Sequence, residues 1–102
     1  MNRLQQLQSW VQRQCDGDWE HQSGVEIATL DNPGWSVSID LATTLADVPL
    51  AETKIDRSPR DWIHCRQEGD RFVGYGGVGN LEEILAVFLD WVGREPPKQG
   101  QA

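Results

Sequence analysis

A chain of 102 residues, 38% of them hydrophobic, is sized for one small domain with one core and spares little apolar material for a deep pocket. Its net charge of −7 argues against direct contact with nucleic acid, which needs clustered Lys and Arg, and suits attraction to a basic partner. No segment approaches the roughly 20 apolar residues of a membrane span, no N-terminal signal pattern is visible, and Cys15 and Cys65 make no disulfide framework, so a cytoplasmic, reduced setting is expected.

Residues 3–14 read as a helix, with Leu4, Leu7, Val11 and Gln14 at helical spacing and Trp10 beside them. Asp16-Gly17 ends it, because glycine tolerates the left-handed backbone that follows a helix. Val25 to Leu30 reads as a strand. Trp35 to Leu41 alternates apolar and polar residues without a break, so one face is buried and one is wet. Between them, Asp31-Asn32-Pro33-Gly34 suits a type II turn, which makes the two strands a hairpin.

Residues 42–50 read as a loop. Glu52 to Arg57 suits a short edge strand ended by Ser58-Pro59, and Asp61 to Gln67 with Arg71 to Tyr75 reads as a second hairpin turning at Glu68-Gly69-Asp70. Leu81 to Val92 reads as a helix with the apolar stripe Leu81, Ile84, Leu85, Phe88 and Val92. Asn80 and Glu83 give a capping-box pattern at its start, and Gly93 and Pro96-Pro97 stop it. The expected class is α+β: an N-terminal helix, a four- to five-stranded antiparallel meander sheet and a C-terminal helix. Residues 1–95 form the expected domain and 96–102 a flexible tail.

Cys15-Asp16-Gly17-Asp18-Trp19-Glu20-His21 packs a thiol, three carboxylates, an imidazole and an indole into seven residues. It has the spacing of neither an EF-hand nor a zinc motif, so no metal is expected there. Gly74-Tyr75-Gly76-Gly77-Val78-Gly79 matches G-x-G-x-x-G, but no strand follows the next helix, so the parallel βαβ unit of a dinucleotide site is missing. A flexible glycine loop is the simpler reading, and no cofactor is expected. His64 and Cys65 are strand neighbours that point to opposite faces, so they cannot form a thiolate–imidazolium pair. Trp10, Trp35 and Trp91 read as core. Trp19 and Trp62 sit among charges, which suits a protein-binding hot spot and a core residue at a loop edge equally.

Four blocks, Cys15 to His21, Thr29 to Trp35, Asp61 to Cys65 and Asn80 to Leu85, resemble the immunity protein 53 family of bacterial polymorphic toxin systems. The resemblance runs from about Leu7 to Trp91 and implies a cytoplasmic protein that binds a cognate toxin, with a basic nuclease the class in view, and blocks it without catalysis. On that footing the expected partner-binding residues are Asp16, Asp18, Trp19, Glu20, His21, Asp31 and Trp62. The alternative is a small thiol enzyme of sulfurtransferase type using Cys65.

Overall fold

The computed structural model describes residues 2–41 and 50–93. The loop expected over 42–50, except Leu50, and the tail expected over 96–102 lie outside the described residues. Helix α1 (Arg3–Gln14) opens on a capping box that the sequence reading missed: Asn2 Oδ1 accepts from Gln5 N at 2.8 Å, and Gln5 Oε1 accepts from Asn2 N at 3.1 Å. The side turned inward is Leu7 and Trp10, while Leu4 from the expected stripe stays exposed. The indole of Trp10 sets that rotation by meeting Phe88 edge-on at 4.9 Å.

A single helical turn, α2 (Trp19–Gln22), precedes strands β1 (Val25–Leu30) and β2 (Gly34–Asp40). Their connection is the three residues Asp31, Asn32 and Pro33, since Leu30 pairs with Gly34. The type II turn is not formed. It would need a positive φ at Gly34, and only Gly17 and Gly69 among the described residues have one. Gly34 serves packing instead, because a Cβ there would run into the carbonyl oxygen of Gly76.

Strands β3 (Thr53–Ser58), β4 (Asp61–Glu68) and β5 (Arg71–Gly76) follow, and helix α3 (Leu81–Val92) closes the fold. The five strands form one antiparallel sheet in the order β1-β2-β5-β4-β3. A hairpin and a three-stranded meander are therefore joined through β2 and β5. The β4–β5 turn uses Gly69 at φ +59°.

Alternation along the strands sends Val37, Ile39, Ile63, Cys65 and Phe72 to one face, all buried. Helix α3 packs against this face at β4 and β5, and α1 packs on α3. The buried residues of α3 are Ile84, Leu85, Phe88 and Trp91. Trp91 thus takes the inward position expected of Val92, three residues beyond Phe88 on the same side. Phe88 sits 5.2 Å from Phe72 and 6.3 Å from Trp91 between ring centroids, so four aromatic rings with Trp10 fill the centre. The opposite face of the sheet carries Ser36 and Ser38 of β2, Trp62, His64 and Arg66 of β4, and Val73 and Tyr75 of β5, and no described helix covers it.

Candidate partner-binding surface

The acidic run folds as a loop held by its own carboxylates. Asp16 Oδ1 accepts from Asp18 N and Trp19 N, each at 3.0 Å, which satisfies the free amide of Trp19 at the start of α2. These amide bonds favour the ionised carboxylate and hold Asp16 below the usual range. Glu20 reaches back, its Oε1 accepting from Asp16 N at 3.0 Å and its Oε2 from Gly17 N at 2.9 Å. The two carboxylates close the loop from both directions, and Gly17 supplies the φ of +97° that it needs.

Trp19 is half-buried and meets Trp10 edge-on, with centroids 5.8 Å apart. Its indole N–H is shielded from solvent and has no hydrogen-bond acceptor. Asp18 and His21 are exposed. Neither makes a side-chain hydrogen bond or ion pair, so both are available to an external partner.

Asp31 is exposed at the β1–β2 turn, at the far end of β1 from this loop. A strand of six residues separates the two, which is about 20 Å at about 3.4 Å per residue. Trp62 lies on the helix-free face, three strands from β1. It lines a shallow cavity of about 290 Å³ with Lys54, Asp56, Pro59 and His64. The seven expected site residues therefore divide into three places: five at the α2 loop, Asp31 at a turn and Trp62 beside a groove.

Trp62 is positioned by a polar cluster that was not foreseen. Arg57 grips Asp61 with two bonds of 2.8 and 3.0 Å and reaches Glu83 at 2.6 Å. Asn80, 6% exposed, donates to Asp61 at 2.9 Å and to Glu83 at 3.0 Å. Asn80 holds the N-cap position of α3 but makes no side-chain cap bond, so the expected capping box is absent. Its amide is committed to carboxylates on two elements, which ties the β3–β4 turn to α3 immediately before Trp62. No local spacing rule could find this cluster, because Asn80 and Asp61 are nineteen residues apart in the chain.

Asp61 and Glu83 are both held below the usual carboxylate range, first by their bonds to Arg57. Carboxyls of lowered pKa bind protons more weakly in the folded chain than in the unfolded one. Their contribution is complete above about pH 5 and drains as pH falls below about 4. The midpoint of urea unfolding should accordingly drop between pH 5 and pH 3, and Arg57→Met should flatten that drop. An unchanged slope in the variant would show that the cluster adds nothing.

Cys65 is fully buried, and burial pushes its thiol up to about 12. Cys15 is exposed, with Sγ 3.3 Å from the Val11 carbonyl oxygen. The glycines after β5 make close approaches. Without side chains, Gly74 lets Ile84 of α3 lie against the sheet, and Gly77 passes the backbone of Arg60. Among the described residues, no group of three or more His, Cys, Asp or Glu side chains converges as a metal site. No described helix is long and apolar enough to cross a membrane.

A family model described as immunity protein 53 matches residues 4–93. The chain belongs to the immunity protein 53 family. The matched span takes in α1 from its second residue, α2, α3, strands β1 to β5 and every residue of the α2 loop. No curated protein and no solved structure matches the chain. Membership of an immunity protein family implies a toxin as partner. The α2 loop, the β1–β2 turn and the groove beside Trp62 are the surfaces of this immunity protein that carry its expected partner-binding residues.

Proposed function

We propose that this chain binds a cognate toxin one to one in the cytoplasm and blocks it, acting as an inhibitor and not as an enzyme. Its family membership carries the reading. The surface supports it: residues 14–53 contain no Lys or Arg and include Asp16, Asp18, Glu20, Glu26 and Asp31. A basic toxin, of which a nuclease is the class in view, would be drawn to that side of the molecule.

In this reading Asp18, His21 and Asp31 meet the toxin directly, while Asp16 and Glu20 keep the loop in shape around Trp19. Trp62 supplies an aromatic anchor beside its groove, the kind of residue that dominates binding energy. The thiol-enzyme alternative has little to work with. A buried Cys65 thiol raised to about 12 offers almost no thiolate at neutral pH.

The test is co-expression with the toxin domain encoded beside this chain. Growth should be rescued and a one-to-one complex should co-purify. Reversing Asp18 and Asp31 together to lysine should weaken the complex at least tenfold, mainly through slower association, and leave the urea midpoint unchanged. A folded chain that neither rescues growth nor forms the complex refutes the reading.

A further inference from the structure

We infer that the free edge of β1 receives an extended, Lys- or Arg-bearing segment of the toxin as a sixth strand of the sheet; this rests on the reading that the partner is a toxin. Strand β1 pairs with β2 on one side, and among the described residues nothing pairs with its other side. Asp40 N donates to the Gly24 carbonyl at 3.0 Å, which makes Gly24 and Asp40 a hydrogen-bonded pair. Antiparallel pairs alternate. Glu26, Ala28 and Leu30 therefore exchange bonds with β2, and the amides and carbonyls of Val25, Ile27 and Thr29 turn outward.

The two edges of the sheet are built differently. At the β3 edge stand Lys54, a bulge between Asp56 and Ser58, and Pro59 directly after the strand. Each of these discourages the addition of another strand. Strand β1, Val-Glu-Ile-Ala-Thr-Leu, has no Lys, Pro, Gly or bulge and keeps its register over all six residues. It is the unguarded edge. Ile27 is 38% exposed there, and the main sheet contacts of α3 are with β4 and β5. That leaves an apolar side chain on one face for an added strand to pack on, with Glu26 on the other.

Charge chooses the occupant. Glu26 is the second residue of β1, Asp18 flanks that end and Asp31 the other, and none of the three is in an ion pair. A Lys or Arg directly across from Glu26 pairs with it, and cations at the ends of the segment meet the carboxylates that flank the strand. A second copy of this chain would bring the same strand, which has no Lys or Arg and carries Glu26 as its one charged residue.

The experiment uses the full chain and the toxin domain encoded beside it. Hydrogen exchange at the amides of Val25, Ile27 and Thr29 should be fast in the free chain and slow at least tenfold in the complex. Ile27→Pro removes one outward N–H and leaves the β1–β2 ladder intact. It should weaken the complex at least a hundredfold without lowering the urea midpoint. A complex that forms while those amides still exchange freely overturns the inference alone, whatever the proline variant does. Protection in the free chain that grows with its concentration assigns the edge to a second copy and overturns it as well. A chain that forms no complex overturns the toxin reading, and the inference with it.

Discussion

Truncating Phe88 to alanine is expected to remove about 3–5 kcal/mol of folding stability, the range for a fully buried phenylalanine. Phe88 has no exposed surface, and its ring lies 4.9 Å from Trp10, 5.2 Å from Phe72 and 6.3 Å from Trp91. It meets rings from α1, from α3 and from the sheet. Its loss leaves a void whose walls belong to three separate elements, and no single movement closes it. At about 4–8 °C per kcal/mol for a domain of this size, the melting temperature should fall by at least about 12 °C. Phe88→Leu keeps most of the volume and should cost about 1.5 kcal/mol or less. Calorimetry or urea unfolding of the three chains decides it. A loss under about 1 kcal/mol in the alanine variant would mean that the core can collapse.

Gly77→Ala is expected to cost about 1–3 kcal/mol or more, although it adds one methyl group. A Cβ at Gly77 would overlap the carbonyl oxygen of Arg60 and stand 2.8 Å from Asn80 Oδ1. The first of these is backbone and cannot rotate away. The second belongs to the residue that links Asp61 to Glu83, so relief in that direction breaks the cluster behind Trp62. Gly79→Ala is the matched control, with nothing within 4 Å of its added carbon, and should stay within about 0.5 kcal/mol of the parent. Equal effects at the two positions would refute this account of the glycine run. A clear difference would show that packing against Arg60 requires glycine at position 77.

The elements of this fold were legible where a pattern is local. Helix α3 spans Leu81–Val92 as its stripe and stop signals require, and the second hairpin turns where Gly69 allows it. What sequence reasoning missed depended on contacts between distant residues. Gly34 looked like a turn residue, yet its role comes from Gly76, three strands later in the chain. Asn80 looked like a cap, yet Asp61 claims its side chain. The order in which strands pair is likewise invisible to a period-2 pattern, which says that a strand is half-buried and not beside which neighbour. At the surface, composition marked Cys15 to His21 as unusual. It could not show that Asp16 and Glu20 spend their oxygens on the loop's own amides, because that depends on the backbone path through Gly17.

The last of the described strands to be made is the one in the middle. Residues 71–76 complete the sheet by inserting between β2 and β4, and α3 follows at once to cover the result. Until the ribosome has released that stretch, the first hairpin and the strands before it have no common neighbour. The closing contacts span long loops and carry a large entropic cost before they are rewarded. A chain stopped just short of residue 71 is thus two fragments with four exposed strand borders, a form suited to capture by chaperones or proteases. The sheet can therefore close only after β5 and α3 have been made.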